Sequence, residues 1–135
     1  MHEMHETTVT VVGNAATGVD FRETEDGVPV ARFRLAATAR RWDRRRAAWT
    51  EGHISYYTVW AWRSLAANVA SSVSLGEPLV VQGRLHIRED EYGGKLRSAA
   101  EIEAIALGHD LACGTSVFRR VAEANPALTA SSYRS

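Results

Sequence analysis

Arginine and aromatic side chains are concentrated in one part of this sequence, between residues 30 and 63. Eight arginines lie in that window against two acids, Asp43 and Glu51, in a chain whose formal net charge is zero. All four tryptophans lie there too, with two tyrosines: Trp42, Trp49, Trp60, Trp62, Tyr56 and Tyr57. Guanidinium groups bind phosphate and aromatic rings stack on planar rings, so the combination favours a ligand that carries both, as a nucleic acid does.

The size and composition of the chain indicate one globular domain. Its 135 residues suit a single hydrophobic core, and 45% apolar with 24% charged residues disfavour disorder, collagen-like repeats and coiled coils. The sequence contains no apolar run of about eighteen residues and no signal-peptide pattern, so we expect a cytoplasmic protein without membrane contact. The single cysteine, Cys113, excludes an intrachain disulfide and a cysteine-based zinc site.

Residues 28–42 alternate in character, which predicts a half-buried strand. Phe33 and Leu35 share one face, and Arg32 and Arg34 share the other. Because side chains alternate across a strand, we expect the apolar set to face the core and the arginines to face outward.

Residues 54–63 predict a second strand of the same kind. The odd positions Tyr57, Val59 and Ala61 oppose the even positions, which include Trp60 and Trp62. Both sets are apolar, so the pattern does not decide which one faces inward.

The other predicted elements are three strands and one helix. We expect strands over 7–14, 79–88 and 98–107, with a bulge or bend at Gly83. A helix over 64–76 is expected to begin at the N-cap residue Ser64 and to end at Gly76.

This order of elements predicts an all-β fold, a five-stranded Greek-key OB-fold barrel with one helix between strands 3 and 4. Hairpin loops are expected at 43–53 and 89–97. The barrel would span residues 7–111, between a flexible N-terminus of residues 1–6 and a short flexible tail of residues 112–135.

The outward side chains of such a barrel would bind a single nucleic-acid strand. Rings stack on any base and arginines neutralise phosphates, so binding would not depend on base sequence, whereas a duplex hides its base faces. We expect Arg44, Arg45 and Arg46 to close over the strand from their loop. The candidate residues are Trp42, Tyr56, Trp60, Trp62, Arg32, Arg34, Arg40, Arg44, Arg45, Arg46, Arg63, Arg84 and Arg88.

The sequence resembles the bacterial single-stranded DNA-binding protein family over about residues 7–111. The resemblance rests on segments in a specific order: Val-Val-Gly-Asn at 11–14, Val-Ala-Arg-Phe-Arg-Leu-Ala at 30–36, Trp-Arg-Ser-Leu-Ala-Ala-Asn-Val-Ala at 62–70 and Gly-Glu-Pro-Leu-Val-Val-Gln-Gly-Arg-Leu at 76–85. It implies a homotetramer, associated with the nucleoid, that wraps single-stranded DNA during replication, recombination, repair or chromosome handling. It also implies stacking by Trp42, Tyr56 and Trp62, and phosphate contacts by Arg22, Arg84 and Arg88.

The sequence departs from the family pattern at two places. Glu89 and Asp90 stand where the family often has a basic-aromatic pair, which predicts a weaker or shorter DNA path there. The last residues lack the long linker and acidic tip through which the main replicative member recruits other enzymes. The chain therefore resembles the tail-less second protein of this family that some bacteria carry, of actinobacterial type.

Other functions receive less support from the sequence. Motifs for an enzyme, a metal site or a cofactor are missing, and Glu101 and Glu103 are expected on a solvated outer face. Tyr56, Trp60 and Trp62 could instead fill a hydrophobic core. An OB-fold adaptor for RNA or for a replication or recombination partner is the alternative function.

Overall fold

Six strands and one helix make up the part of the chain that the computed structural model describes, residues 6–122 without the side chains of Arg41 and Glu51. In chain order they are β1 (Thr7–Ala15), β2 (Asp20–Glu23), β3 (Pro29–Asp43), β4 (Ala48–Trp62), α1 (Arg63–Ser72), β5 (Pro78–Tyr92) and β6 (Lys95–His109). Most of the predicted N-terminal segment (1–6) and the end of the predicted tail (112–135) lie outside the described residues. Within that range no helix has the length and apolar character needed to cross a bilayer.

Five of the strands close into a barrel. The sheet order is β1-β5-β6-β4-β3, and β1 also pairs with β3 through Asn14–Ala36 and Ala15–Leu35. β4 and β6 run parallel, and the other pairs are antiparallel. This is the predicted OB fold, which is confirmed. The short β2, which the sequence analysis did not predict, extends the free edge of β3.

The strands bury the apolar half of each alternating pattern. On β3, Phe33 and Leu35 are buried, and Arg32 and Arg34 between and beside them are exposed, as predicted. On β4, Val59 and Ala61 are buried, which resolves the orientation that the sequence left open. Each fully buried Leu or Phe side chain stabilises the fold by about 1.5–3 kcal/mol. This packing therefore places the even-numbered residues of β4 from Tyr56 to Trp62 on the outer side of the barrel.

α1 packs against β3 and β4 and buries Ala66 and Val69. The predicted start and end of this helix were wrong. Trp62, not Ser64, occupies the N-cap position, and it makes no capping hydrogen bond through its side chain. Arg63 has a φ of 62°, in the left-handed region, so the chain turns sharply from β4 into the helix. The helix ends at Ser72, before the predicted Gly76, because Val73 is already extended.

Both predicted hairpin loops are shorter than expected. β4 begins at Ala48 rather than at residue 54, so the first loop is the turn at 44–47. Strands β5 and β6 join through Gly93 and Gly94, whose φ angles are 56° and 80°. Positive φ at both central residues is what a type I′ hairpin turn requires, and it lets the strands pair up to the turn. The strand ends were missed because their residues do not alternate in polarity.

Gly83 lies where β5 passes very close to β6. A Cβ atom there would overlap the carbonyl oxygen of Glu103 and approach Ala104 Cα within 2.8 Å. The β5–β6 register shifts at the same point, between Gln82 and Gly83, so the irregularity lies where it was predicted but the bulge is on the partner strand. The extra residue of this bulge is Ile105 on β6, which faces neither Gln82 nor Gly83 in the register.

Candidate nucleic-acid interface

The outward residues of β3 and β4 form one continuous surface, called here the β3–β4 face, made of Arg32, Arg34, Tyr56, Trp60 and Trp62. The strand register places Arg32 opposite Trp60 and Ala36 opposite Tyr56. Tyr56 is 50% exposed and Trp62 is 38% exposed, whereas Trp60 is half-buried. The alternative that these rings fill the core is therefore wrong for Tyr56 and Trp62.

Arginines and rings contact one another across this face. The guanidinium carbon of Arg32 lies 5.4 Å from the centre of the Trp60 ring, and that of Arg34 lies 5.1 Å from the centre of the Tyr56 ring. Such cation–π contacts contribute about 0.5–1 kcal/mol at exposed sites. They hold cationic groups beside ring faces, which is the arrangement that binding of a base and its phosphate needs.

A second group of candidate residues lies at the end of the β3–β4 hairpin. Trp42 and Trp49 are opposite each other in the register and meet edge to face, with ring centres 5.6 Å apart and an interplanar angle of 73°. Asp43 Oδ1 accepts hydrogen bonds from the backbone N–H groups of Arg45 and Arg46, at 2.9 and 3.4 Å. These bonds fix a turn from which the side chains of Arg44, Arg45 and Arg46 extend into solvent.

Trp49 was missed as a candidate site residue. It is 62% exposed, more than Trp42 at 52%, and the two rings lie side by side. The missed signal was the length of the loop, because a turn at 44–47 pairs residue 42 with residue 49 whereas a loop over 43–53 does not.

Asp20 on β2 holds two of the candidate arginines. Its carboxylate accepts a hydrogen bond from Arg22 Nε at 3.2 Å and another from a terminal nitrogen of Arg32 at 3.1 Å. The hydrogen bond from Arg22, together with the charges of both arginines, holds the pKa of Asp20 below its usual range. Arg22, Arg32 and Trp60 line a shallow depression beside this carboxylate. Asp20 therefore positions Arg32 at the edge of the β3–β4 face.

The two candidate arginines of β5 are both paired with acids. Arg84 lies 3.0 Å from Glu6 and 3.5 Å from Glu103, and Arg88 lies 3.2 Å from Glu101 and 3.7 Å from Asp90. His86 Nε2 is 3.7 Å from Glu103. Glu101 does lie on the outer face, but its side chain is only 16% exposed, so the expected solvated surface is instead a set of ion pairs.

The remaining candidates, Arg40 and Arg63, are both exposed. Arg63 follows Trp62 directly, at the start of α1. Arg40 lies just beyond an irregularity in the β3–β4 register, between the barrel and the hairpin turn. The structure thus brings most candidates together on β3, β4 and their turn, with Arg22 joined to them through Asp20. Arg84 and Arg88 lie apart from these, on β5.

The described residues contain no group of three His, Cys, Asp or Glu side chains placed to hold a metal ion. The acids on this surface instead form ion pairs with arginines: Asp20 contacts two of them, and Arg84 and Arg88 each contact two acids.

Comparisons with known proteins find consistent matches. A model of the single-strand binding protein family matches residues 6–109. Single-stranded DNA-binding protein 1 of Streptomyces coelicolor is 54% identical over 119 residues, which cover 88% of this chain and 76% of that protein. Single-stranded DNA-binding protein 2 of Streptomyces avermitilis is 53% identical over 117 residues, which cover 87% of this chain and 73% of that protein.

Two solved structures are similar in fold. The crystal structure of the small single-stranded DNA-binding protein from Streptomyces coelicolor has a TM-score of 0.75 and 52% identity, and covers 82% of this chain and 100% of its own. The structure of the second single-stranded DNA-binding protein from Mycobacterium smegmatis has a TM-score of 0.66 and 31% identity, covering 85% of this chain and 99% of its own.

Proposed function

Since this chain belongs to the single-strand binding protein family, we propose that it binds single-stranded DNA along the β3–β4 face without reading base sequence. The family is one of DNA-binding proteins rather than of catalysts, and the proposed role requires no reacting group. Binding would protect the strand and keep its bases unpaired.

The β3–β4 face is the observation that carries this proposal. Tyr56, Trp60 and Trp62 share one face of β4, with Thr58 between the first two, so their positions are about 13.6 Å and about 6.8 Å apart along the strand. Arg32 and Arg34 lie beside these rings on the neighbouring strand. A flexible strand with free bases can therefore stack on the rings while its phosphates meet the guanidinium groups.

The proposed contacts fall into two roles. Ring stacking would come from Trp42, Tyr56, Trp60 and Trp62, and Trp49 is added because it is exposed beside Trp42. Phosphate contacts would come from Arg22, Arg32, Arg34, Arg40, Arg44, Arg45, Arg46, Arg63, Arg84 and Arg88. Arg84 and Arg88 would contribute less than the others, because their ion pairs with acids make them less available to phosphates.

We further propose that the chain acts as a homotetramer in the cytoplasm, associated with the nucleoid, in replication, recombination or repair. Large apolar side chains that the single barrel leaves outside support the assembly. Val12 on β1 is 55% exposed and Ile105 on β6 is 52% exposed. Contact between copies of the chain would remove such side chains from water.

Fluorescence titration tests the proposed function directly. Because tryptophans lie in the proposed site, binding of a dT oligomer should quench their emission, and a duplex of equal length should compete poorly. The logarithm of the affinity should fall with the logarithm of the salt concentration, by about 0.7 for each phosphate neutralised. Absence of quenching at low salt would contradict the proposal.

The same titration examines the alternative functions. An RNA oligomer of matched length offers similar rings and phosphates, so a marked preference for RNA would favour the adaptor role.

Sedimentation at two protein concentrations, with and without a long dT oligomer, tests the homotetramer. A single species with the mass of one chain under all conditions would exclude it.

A further inference from the structure

β6 separates two cationic parts of the outer surface. Its register with β4 places Glu101 beside Thr58 and Glu103 beside Trp60. Its register with β5 places the same two residues beside His86 and Arg84. Glu101 and Glu103 therefore stand between the aromatic rings of the β3–β4 face and the cations of β5.

Both carboxylates are already engaged with those cations. Glu103 Oε1 lies 3.5 Å from a terminal nitrogen of Arg84 and 3.7 Å from His86 Nε2, and Glu101 Oε2 lies 3.2 Å from a terminal nitrogen of Arg88. On the other side of β6, Arg34 contacts the ring of Tyr56, and no ion pair joins it to an acid among the residues that the structure describes. A phosphate thus meets one guanidinium on β3 without an acid partner among the described residues, that of Arg34 beside the Asp20-bound Arg32, whereas both arginines of β5 are paired with acids.

We infer that Glu101 and Glu103 form an acidic border that confines single-stranded DNA to the β3–β4 face. The inference rests on the proposed function, and it adds which residues limit the path. Carboxylates and phosphates bind guanidinium groups in the same way, so each glutamate competes with the DNA backbone for its arginine. Each also repels a phosphate that approaches β5 from the side of Trp60.

The experiment compares the double variant Glu101→Gln with Glu103→Gln against a matched control, Glu25→Gln with Asp26→Asn. The control removes the same charge from the exposed turn between β2 and β3, where no ion pair joins either carboxylate to another of the described residues. The border variant should bind a dT oligomer about tenfold more tightly at low salt, taking up to about fivefold for each of the two ion pairs. Its salt dependence should steepen, but by less than the value of about 1.4 for two fully released arginines, because Glu6 still lies 3.0 Å from Arg84 and Asp90 3.7 Å from Arg88.

A second pair of measurements removes the arginines. Arg84→Gln with Arg88→Gln should weaken the border variant about tenfold more than it weakens the unaltered protein, and should thereby abolish the gain. Such a difference between backgrounds is the coupling that the border requires. If the double variant folds poorly, Glu103→Gln alone takes its place. It preserves Glu101 and should show part of the gain in affinity for dT.

The outcomes separate this inference from the proposed function. If the unaltered protein quenches on dT but the border variant and its control behave alike, the border is wrong and single-strand binding stands. If loss of Arg84 and Arg88 weakens the unaltered protein as much as it weakens the border variant, the border is also wrong. If the unaltered protein does not bind dT, the proposed function fails together with the inference.

Discussion

The indole of Trp62 stacks on that of Trp60, with ring centres 6.4 Å apart and an interplanar angle of 15°. Trp60 is also approached by Arg32, so its ring is held by neighbours. Trp62 is the more exposed ring of the pair and presents its free surface to solvent. We therefore expect Trp62 to offer the more accessible ring for a base, and Trp60 to contribute less to stacking.

We expect Trp62→Ala and Trp42→Ala each to weaken binding of a dT oligomer by about one to two orders of magnitude. Stacking of one base on one ring contributes about 1–3 kcal/mol, and each substitution removes one ring. Affinity is measured by titration, and sedimentation checks that assembly is unchanged. Leu75→Ala, an exposed apolar residue after α1, is the control. Unchanged affinity in both tryptophan variants would reject the proposed site.

Reversal of Arg44, Arg45 and Arg46 to glutamate should lower the affinity for dT and flatten its salt dependence. The physical reason is that phosphates which lose a cation keep their counterions, and each lost contact removes about 0.7 from the slope. As a control, the single variant Arg44→Glu is compared with Arg119→Glu. Arg119 lies in the segment after β6, so the second variant makes the same charge change outside the proposed site. A slope that is the same in the triple variant and in the unaltered protein would place the phosphate contacts elsewhere.

Asp20→Asn should reduce thermal stability at neutral pH but not in acid. The hydrogen bond from Arg22 and the nearby guanidinium charges lower the pKa of Asp20 in the folded state. The stabilisation is therefore present above the ordinary aspartate value of about 3.9 and is lost as the pH falls through the lowered folded value. The difference in melting temperature between the two proteins should be constant from about pH 7 to 5 and then shrink.

The control for this pH dependence is Asp26→Asn, in the turn between β2 and β3. No ion pair joins Asp26 to another residue that the structure describes. The melting temperature of the Asp26→Asn variant should therefore equal that of the unaltered protein at each pH. A difference for Asp20→Asn that grows as the pH falls would have the wrong sign and would contradict the assigned interaction.

Gly83→Ala should destabilise the barrel by about 1–3 kcal/mol, the usual cost of inserting a methyl group where there is no room. The new Cβ would overlap the backbone of Glu103 and Ala104, and backbone cannot move aside as a flexible side chain can. Gly108→Ala on β6 is the control, because a Cβ there meets no atom within 4 Å. Chemical denaturation measures the free energy of unfolding of both variants. Equal values would show that β5 and β6 can move apart at Gly83 at little cost in free energy.

The barrel was predictable because strong alternation marks the strands near its core. Phe33 and Leu35 on β3 and Val59 and Ala61 on β4 are buried, and an orientation that the pattern left open on β4 was decided by packing. The outer ends of the hairpins were not predictable in this way. There both faces meet solvent, so no alternation is required, and Trp49 was left out of the site as a result.

The charge pattern of the site was predicted only in part. Counting residues showed an excess of arginine, but ion pairs depend on which strands are neighbours. Glu103 is nineteen positions from Arg84 in sequence and directly opposite it in the sheet. Asp20 likewise reaches Arg32 through the pairing of β2 with β3, a strand that sequence patterning missed.

The pairing of β1 with β5 has a consequence for how the chain folds. Its partners run from Thr7–Leu85 to Asn14–Pro78, and so lie between 64 and 78 positions apart. The β3–β4 and β5–β6 hairpins join near neighbours, and loop-closure entropy favours their formation first. During synthesis on the ribosome, the first strand must wait for most of the domain to emerge. We expect β1 to dock late, and the growing chain to expose the edge of β5 until then.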